Sequence, residues 1–310
     1  MGYKALLFLN ILGKMQNYLQ IIADGYVGYF HYLTQELLVP SWHNYFYALL
    51  LVSVLVWALE LAMPWRKHQP ALRQDFWLDG FYMFFNFFLV SLIGFNALSN
   101  VGVQFFYDLM GFLGIKNVVV ISVAGLNTGL RWLLMLVVAD FLQWNIHRML
   151  HRVPWLWRFH QLHHSTAQMG FSAHLRYHFI ETLVYKTLQF VPLSLLGFGL
   201  MDFFSLHIFT IAIGHLNHAN LNLNYGIFRY IFNNPKMHLW HHAKELPNEK
   251  KYKNGANFGL TLSIWDYVFG TAYTAEPPAD LELGFEHSKS YPTNFWGQLV
   301  QPFGAKKDKN

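Results

Sequence analysis

The sequence predicts an all-α polytopic membrane protein with about four or five transmembrane helices and a cytoplasmic, helical, histidine-rich cap. First, the 310 residues are 54% hydrophobic and 13% charged, whereas soluble domains carry roughly 25% charged residues. Second, residues 80–107 and 203–228 contain no Asp, Glu, Lys or Arg, and each run exceeds the roughly 20 residues that a membrane span needs. Third, 13 of the 17 histidines fall between His147 and His242.

The apolar residues form four main segments, at 42–63, 77–98, 130–146 and 179–222. The last is long enough for a hairpin of two spans, with Pro192 and the Gly-Phe-Gly sequence at 197–199 supplying the bend. A short β-branched stretch at 118–124 predicts a re-entrant or interfacial piece. Residues 1–41 predict an N-terminal interfacial segment, or else a weak first span, because Lys14 interrupts the apolar stretch and no small-residue cleavage site follows it.

Basic residues follow the first, third and fourth apolar segments and indicate the side that stays in the cytoplasm. These residues are Arg66, Lys67 and Arg73; Arg148, Arg152 and Arg158; and Arg229, Lys236 and the lysines of 244–253. The histidine clusters lie in or beside the same stretches. We therefore expect an integral membrane protein of a bacterial inner membrane or endoplasmic reticulum, with its histidines on the cytoplasmic face.

Several classes of site are excluded by composition. The sequence has no cysteine, which rules out disulfides, Cys-ligated iron–sulfur clusters and zinc–thiolate sites. The net charge is +5, but Lys and Arg flank apolar segments and form no single basic face, so no nucleic-acid partner is expected. The sequence also contains no P-loop and no dinucleotide-binding fingerprint.

Three histidine clusters have spacings typical of metal ligands. They read HRMLH at 147–151, HQLHH at 160–164 and HLWHH at 238–242. Residues three or four apart share one face of a helix, so each cluster can direct two or three imidazoles at one point. Eight imidazoles exceed the need of one tetrahedral ion and suit two metal ions with room for a small molecule.

The residues alone leave the metal and the use of the clusters open. Imidazole suits iron, zinc, copper and nickel. A pair of redox-active metal ions that binds dioxygen would fit these clusters, because neutral imidazoles do not balance the metal charge and oxygen-derived bridges could do so. Interfacial histidines that pack against lipid headgroups are the plainest alternative. A bis-histidine haem anchor would need one histidine on each of two facing spans. A metal transporter would place its ligands at mid-span, often with carboxylates.

Several longer motifs resemble the fatty acid hydroxylase/sterol desaturase superfamily of membrane-bound, histidine-box di-iron oxygenases. They are DFLQWNIHRMLHRVPWLWRFHQLHHS at 140–165, RYHFIE at 176–181, GHLNHANLNL at 214–223, NNPKMHLWHH at 233–242 and NFGLTLSIWDYVFGTAY at 257–273. The resemblance divides the chain into an N-terminal segment at 1–41, a fatty acid hydroxylase-like membrane and di-metal domain at 42–273, and a polar C-terminal tail at 274–310.

The resemblance implies an O2-dependent di-iron oxidoreductase that hydroxylates or desaturates C–H bonds of a membrane lipid, such as a sterol or a fatty acyl chain. It implies two iron ions (Fe2+), O2 as co-substrate and an external electron donor. That donor would be a separate reductase, a ferredoxin or cytochrome b5. A zinc-dependent membrane lipid hydrolase or isomerase and a metal transporter remain the alternative functions.

The resemblance also assigns metal ligands. The expected ligands are His147, His151, His160, His163, His164, His218, His238, His241 and His242. Candidates for a further ligand, or for a group that orients one, are His215, His178 and Asp140. Asp140 has a structural alternative as the partner of Arg131 or Arg148, and Glu181 and Asp266 invite the same two interpretations. His174 is expected to be structural or orienting, whereas His31, His43, His68, His207 and His287 are given no role. No catalytic residue beyond the ligands is predicted.

Overall fold

A computed structural model describes residues 3–41, 44–88, 97–115, 123, 125–198 and 200–304. The regular secondary structure of these residues is helical and includes no β-strand, which confirms the all-α prediction for this part of the chain. The helices are α1 (Tyr3–Leu38), α2 (Tyr45–Ala62), α3 (Phe76–Phe85), α4 (Ala97–Phe112), α5 (Thr128–Arg152), α6 (Pro154–His164), α7 (Phe179–Leu195), α8 (Leu200–His218), α9 (Pro235–His241), α10 (Ile264–Val268) and α11 (Phe295–Gly304). Short 3₁₀ turns lie at Phe171–Leu175, Gly226–Tyr230, Lys250–Tyr252 and Ser288–Ser290.

Helices α5, α7 and α8 form the centre of the fold. Buried Met135 and Ala139 of α5 pack in one apolar cluster with Leu193 of α7 and Leu206 of α8. The Gln189 amide of α7 donates to the Ala139 carbonyl across 3.1 Å. This core lies toward the start of α5, so the histidines at its other end are held at a fixed distance from it.

The segment at 179–222, predicted to be a hairpin of two spans, contains the two helices α7 and α8; that they cross the membrane stays a prediction. Gly197 has a positive φ of 78° between the two helices, a conformation that glycine adopts without strain. Pro192 lies inside α7, so the assignment of this proline to the bend was wrong. The physical reason is that proline costs a helix one hydrogen bond but does not reverse the chain. Residue 199 lies outside the described residues.

Helix α2 packs along α8. Tyr45 stacks on His207 with ring centroids 5.1 Å apart, and Val56 packs against Ala219 and Leu221 beyond the end of α8. Among the described residues, α2 is the one helix long and apolar enough to cross a membrane by length and composition. The number of spans and the cytoplasmic position of the cap therefore remain predictions.

The second apolar segment is divided. It contains α3 and the beginning of α4, while 89–96 lie outside the described residues. Helix α4 packs against the long helix α1. The stretch at 118–124, predicted to be re-entrant or interfacial, lies outside the described residues except for the buried Val123. His43 also lies outside the described residues.

Residues 219–304 cover the ends of α5, α6 and α8. Isolated β-bridges join Phe232 to Leu262 and Ala243 to Leu283. The segment expected to be a polar tail from residue 274 includes α11 and the buried residues Leu283 and Tyr291. Residues 305–310 lie outside the described part of the chain.

Candidate metal centre

Four helix ends bring the nine predicted ligands together. α5 carries His147 and His151 in its last two turns. Pro154, which suits the first position of a helix, then begins α6 after a break at Val153. The turn directs the histidines of α6 back toward those of α5. His218 ends α8, and the short helix α9 carries His238 and His241, with His242 as its C-cap.

The nine histidines form two groups. The first histidine group is His147, His151, His160, His164 and His241. The second histidine group is His163, His218, His238 and His242. Within each group one ring nitrogen from every member lies within 4.8 Å of the others. His151 is partly exposed and the other eight are buried.

Backbone carbonyls orient three of the rings. Nδ1 of His147 lies 2.7 Å from the Phe258 carbonyl. Nδ1 of His241 lies 2.9 Å from the Ala256 carbonyl, and Nδ1 of His218 lies 2.7 Å from the Gly214 carbonyl. A carbonyl oxygen only accepts, so each Nδ1 carries the proton and donates. In a neutral imidazole the Nε2 atom is then an unprotonated acceptor.

A carboxylate orients a fourth ring. Nδ1 of His160 lies 2.8 Å from Oε1 of Glu181, and both side chains are buried. The carboxylate favours a proton on this nitrogen, so Nε2 of His160 is also left as an acceptor. Of the two interpretations of Glu181, the structure shows the one in which it orients a predicted ligand.

Two of the unprotonated nitrogens face each other, and that of His218 faces two further rings of its group. Nε2 of His147 lies 3.2 Å from Nε2 of His160. Nε2 of His218 lies 3.1 Å from Nε2 of His163 and 3.0 Å from Nε2 of His238. Two lone pairs cannot hydrogen-bond to each other, whereas nitrogens at roughly 2.0–2.1 Å from one metal ion are typically about 3 Å apart.

Further ring nitrogens are buried without a hydrogen-bond partner. They are Nε2 of His151, His164 and His241, and Nδ1 of His163 and His242. Buried polar atoms are normally paired, and each exception requires an explanation. A metal ion in the first group explains Nε2 of His151, His164 and His241. In the second group the Nε2 atoms of neighbouring rings lie 3.0–3.2 Å apart, so the residues fit a two-metal centre.

Burial keeps these imidazoles neutral. It lowers the pKa of His147 to about 4. Burial, together with neighbouring imidazoles, holds the pKa of the other rings of the centre on α5, α6 and α9 well below the usual value for histidine. Protons therefore do not compete for the metal-binding lone pairs at pH 7.

His215 lies beside the centre but outside both groups. Its Nδ1 is 2.9 Å from Nδ1 of His174, and its Nε2 is 3.1 Å from the Ser53 hydroxyl. The ring of His174 in turn lies 5.0 Å from the ring of His218, between centroids. A Cβ atom at residue 214 would overlap the His174 ring, so Gly214 allows this ring to lie against α8.

His178 is also outside both groups. Its Nε2 donates to the Leu299 carbonyl at 3.0 Å, and its Nδ1 accepts from the Ile180 amide at 3.2 Å. Both ring nitrogens are therefore used, and they attach α11 to the start of α7.

Asp140 has partners that neither sequence interpretation included. Its carboxylate accepts from the backbone amides of Thr261 and Leu262 and from the Trp265 indole at 2.9 Å. Arg131 pairs instead with Asp202, and Arg148 lies over the ring of Trp144. Asp140 thus anchors a distant loop and contacts neither a ligand imidazole nor either arginine.

Asp266 affects the centre indirectly, through the loop that orients His147. It accepts from the Trp144 indole at 3.0 Å and from the amides of Phe258 and Gly259 at 2.9 and 2.8 Å. These bonds fix the stretch whose carbonyl, that of Phe258, orients His147. Asp140 and Asp266 therefore both attach residues 257–271 to α5.

A buried ionic network was missed from the sequence. The Arg176 guanidinium lies 3.0 Å from Asp79 and 2.9 Å from Asp75, and Arg73 pairs with Asp79 and donates to Ser172. Arg73 is buried and its charge is balanced by Asp79, so by itself it does not indicate which side of the membrane this stretch faces. The sequence signal was weak, because Arg73 and Arg176 are far apart along the chain.

The comparisons with known proteins agree with this site. Residues 132–271 match the sequence profile of the family described as Fatty acid hydroxylase, and this stretch includes all nine histidines of the two groups. Residues 132–271 therefore form a fatty acid hydroxylase domain.

Particular relatives match over parts of their length. The chain is 37% identical over 174 residues to the ornithine lipid hydroxylase OlsE of Rhizobium tropici, covering 56% of this chain and 50% of the relative. It is 32% identical over 146 residues to the alkylglycerol monooxygenase of Xenopus tropicalis, covering 45% of this chain and 30% of the relative. A rice very-long-chain aldehyde decarbonylase, GL1-10, is 24% identical over 220 residues, 67% of each chain. No solved structure matches.

Proposed function

We propose that this chain is an O2-dependent oxidoreductase that hydroxylates or desaturates a C–H bond of a membrane lipid, using two iron ions. The observation that carries the proposal is the pair of buried histidine groups in which ring nitrogens converge, with the unprotonated nitrogens of His147 and His160 facing each other. Relatives named as a lipid hydroxylase and a monooxygenase support oxidation of a lipid. The chain spans half or less of the length of those two relatives, so we propose a membrane lipid as the substrate and no particular lipid.

In this proposal the first histidine group holds one iron ion and the second group holds the other. When bound and reduced, the two ions supply the binding of O2 and the oxidation of the C–H bond. The sequence has neither cysteine nor a dinucleotide-binding fingerprint. We therefore propose a separate electron donor, namely a reductase, a ferredoxin or cytochrome b5.

The chain itself prepares the site for this chemistry. The carbonyls of Phe258, Ala256 and Gly214 and the Glu181 carboxylate fix the directions of four rings. A site whose groups are already oriented does not have to reorganise when the reaction begins. Burial of eight of the nine histidines excludes bulk water, which protects reactive species from side reactions.

A membrane position gives the lipid access to the site. Helix α2 is long and apolar enough to span a bilayer, and its outer face exposes Leu51, Val54 and Leu55. We propose an integral membrane protein with its histidines on the cytoplasmic face of a bacterial inner membrane or the endoplasmic reticulum. The remaining apolar helices would complete the four or five spans expected from the sequence.

The test combines metal analysis with lipid analysis. The purified protein should contain two equivalents of iron. Membranes that carry it should gain a lipid with one more oxygen or two fewer hydrogens, only when O2 and a reductant are supplied. A His163→Ala, His164→Ala variant should insert normally but lose iron and product, whereas His287→Ala at an exposed position should keep both.

Each alternative function predicts a different result. A zinc-dependent hydrolase or isomerase would hold zinc and form its product without O2 or reductant. A metal transporter would move metal across proteoliposomes and leave their lipids unchanged. Either result contradicts the proposed oxidation.

A further inference from the structure

A patch of exposed apolar side chains lies on the outer surface of residues 227–269. We call this set the apolar patch. Its members, with their exposed fractions, are Ile227 (76%), Phe228 (61%), Tyr230 (50%), Ile231 (46%), Ile264 (39%), Val268 (65%) and Phe269 (49%). Exposed apolar side chains grouped in this way typically mark a contact with a membrane or another protein.

The patch is one connected surface built from two segments. The Ser263 amide donates to the Ile231 carbonyl at 2.9 Å, and the Ser263 hydroxyl donates to the Arg229 carbonyl at 2.7 Å. The rings of Tyr230 and Tyr267 lie 5.1 Å apart. These bonds hold the 3₁₀ turn at Gly226–Tyr230 against α10, so its apolar side chains have a fixed position.

The attachment of this surface to α5 indicates its level along that helix, and so relative to the proposed bilayer. Asp140 binds the amides of Thr261 and Leu262 and the Trp265 indole. Asp140 lies seven residues before His147, which is about 10 Å back along a helix that rises about 1.5 Å per residue. This level lies within the apolar run at 130–146. The patch therefore lies beside the last turns of that run.

The charged groups near the patch suit a lipid boundary. Asp266 is buried, and its carboxylate is hydrogen-bonded. The Arg229 guanidinium lies over the ring of Tyr230 at 5.2 Å, and that of Arg148 lies over Trp144 at 4.3 Å. Arginines and aromatic rings at the margin of an apolar surface are typical of the headgroup level, where their polar ends stay hydrated.

We propose that the apolar patch is inserted among the acyl chains of the bilayer, next to α5 and on the side of the metal centre. This inference rests on the proposed function in one respect, that α5 lies in the membrane. Interfacial elements typically bury their apolar faces roughly 5–10 Å into the headgroup and acyl boundary, which agrees with the depth of Asp140.

The absence of cysteine from the sequence makes single-cysteine labelling a direct test. Ile227→Cys and Val268→Cys report on the patch, Leu133→Cys reports on the outer face of α5, and Asn248→Cys is a control at an exposed polar position. The full-length variants are reconstituted in phosphatidylcholine/phosphatidylglycerol vesicles. They are then treated with a charged maleimide that does not cross membranes, with labelling in denaturant as the total.

We expect Asn248→Cys to react quickly in the vesicle population that exposes it. Ile227→Cys and Val268→Cys should react about tenfold or more slowly, because the thiolate that attacks the maleimide is not formed in hydrocarbon. Bimane attached to the same two cysteines should be quenched by lipids brominated on the acyl chain. Quenching that is absent, with labelling as fast as at residue 248, would overturn the proposal.

Leu133→Cys separates this inference from the proposed membrane position of α5. If residue 133 is protected while the patch reacts quickly, only the insertion of the patch fails. If residue 133 also reacts quickly, α5 is not in the bilayer and the proposed membrane position fails with it. Patch cysteines that are protected in native membranes but react quickly in the pure lipid vesicles would identify a protein partner instead of lipid, and would also overturn the proposal.

Discussion

The rings of the metal centre are aimed by acceptors that belong to other elements. Glu181 of α7 holds His160 of α6, and carbonyls at 256 and 258 hold rings of α9 and α5. A ligand that is oriented before metal arrives loses little freedom on binding. Residues that never touch a metal can therefore set its affinity.

Glu181 is the clearest case for a test at the scale of one residue. Glu181→Ala leaves Nδ1 of His160 without its acceptor, so this ring is free to take the other tautomer. We expect iron affinity to fall about 10- to 100-fold, as for other groups that orient metal ligands. Competition with a chelator measures the change. Glu181→Gln retains an acceptor oxygen and should lose less; equal loss in both variants would contradict an orienting role.

His174 provides the opposite test, because it lies beside the centre but outside both groups. His174→Phe preserves a ring against Gly214 but removes the hydrogen bond to His215. An unpaired buried polar group costs about 1–3 kcal/mol, so the unfolding temperature in detergent should fall. Iron content should stay at two equivalents. A loss of one equivalent would show that His174 is itself a ligand.

At the scale of elements, the 3₁₀ turn at Phe171–Leu175 is held by the buried ionic network. Arg73 and Arg176 both contact Asp79, and Glu60 of α2 accepts from the Phe171 amide at 3.0 Å. This turn carries His174 and leads into α7, which carries Glu181. The network thus fixes two elements that support the centre.

Asp79→Asn tests that support. The change removes the one charge that lies between two buried guanidinium groups. Removal of one partner from a buried ion pair typically costs about 3–5 kcal/mol, because the other charge is left uncompensated. Asp75→Asn is the matched control, since Asp75 contacts only Arg176 among these residues and is partly exposed. Thermal unfolding should show a much larger loss for residue 79; equal losses would contradict the central role of Asp79.

The same elements show what the sequence could predict. Spacings of three and four residues place histidines on one face of a helix, and the break before Pro154 separates two helices. The division into groups depends on tertiary structure. His163 and His164 are neighbours in the chain, but successive residues on a helix point about 100° apart, and they enter different groups. The partners of Asp140 lie more than a hundred residues away, so no local pattern indicates them.

At the scale of the whole molecule, the two groups are built from shared helices. α6 supplies His160 and His164 to the first group and His163 to the second, and α9 likewise contributes to both. A change at one metal site therefore moves the helix that holds the other. We expect the two ions to depend on each other and on the fold.

Metal removal tests this dependence. A ligand that binds only the folded state adds about 4 kcal/mol of stability at a thousand times its dissociation constant. Extraction of iron by a chelator should therefore lower the unfolding temperature strongly, and the two equivalents should leave together. His163→Ala removes a ligand of the second group only, but it should also weaken iron in the first group, because it loosens α6. Mössbauer spectra and iron content measure the outcome. A variant that retains one firmly bound iron ion and an unchanged unfolding temperature would show that the two sites are independent, in spite of the helices they share.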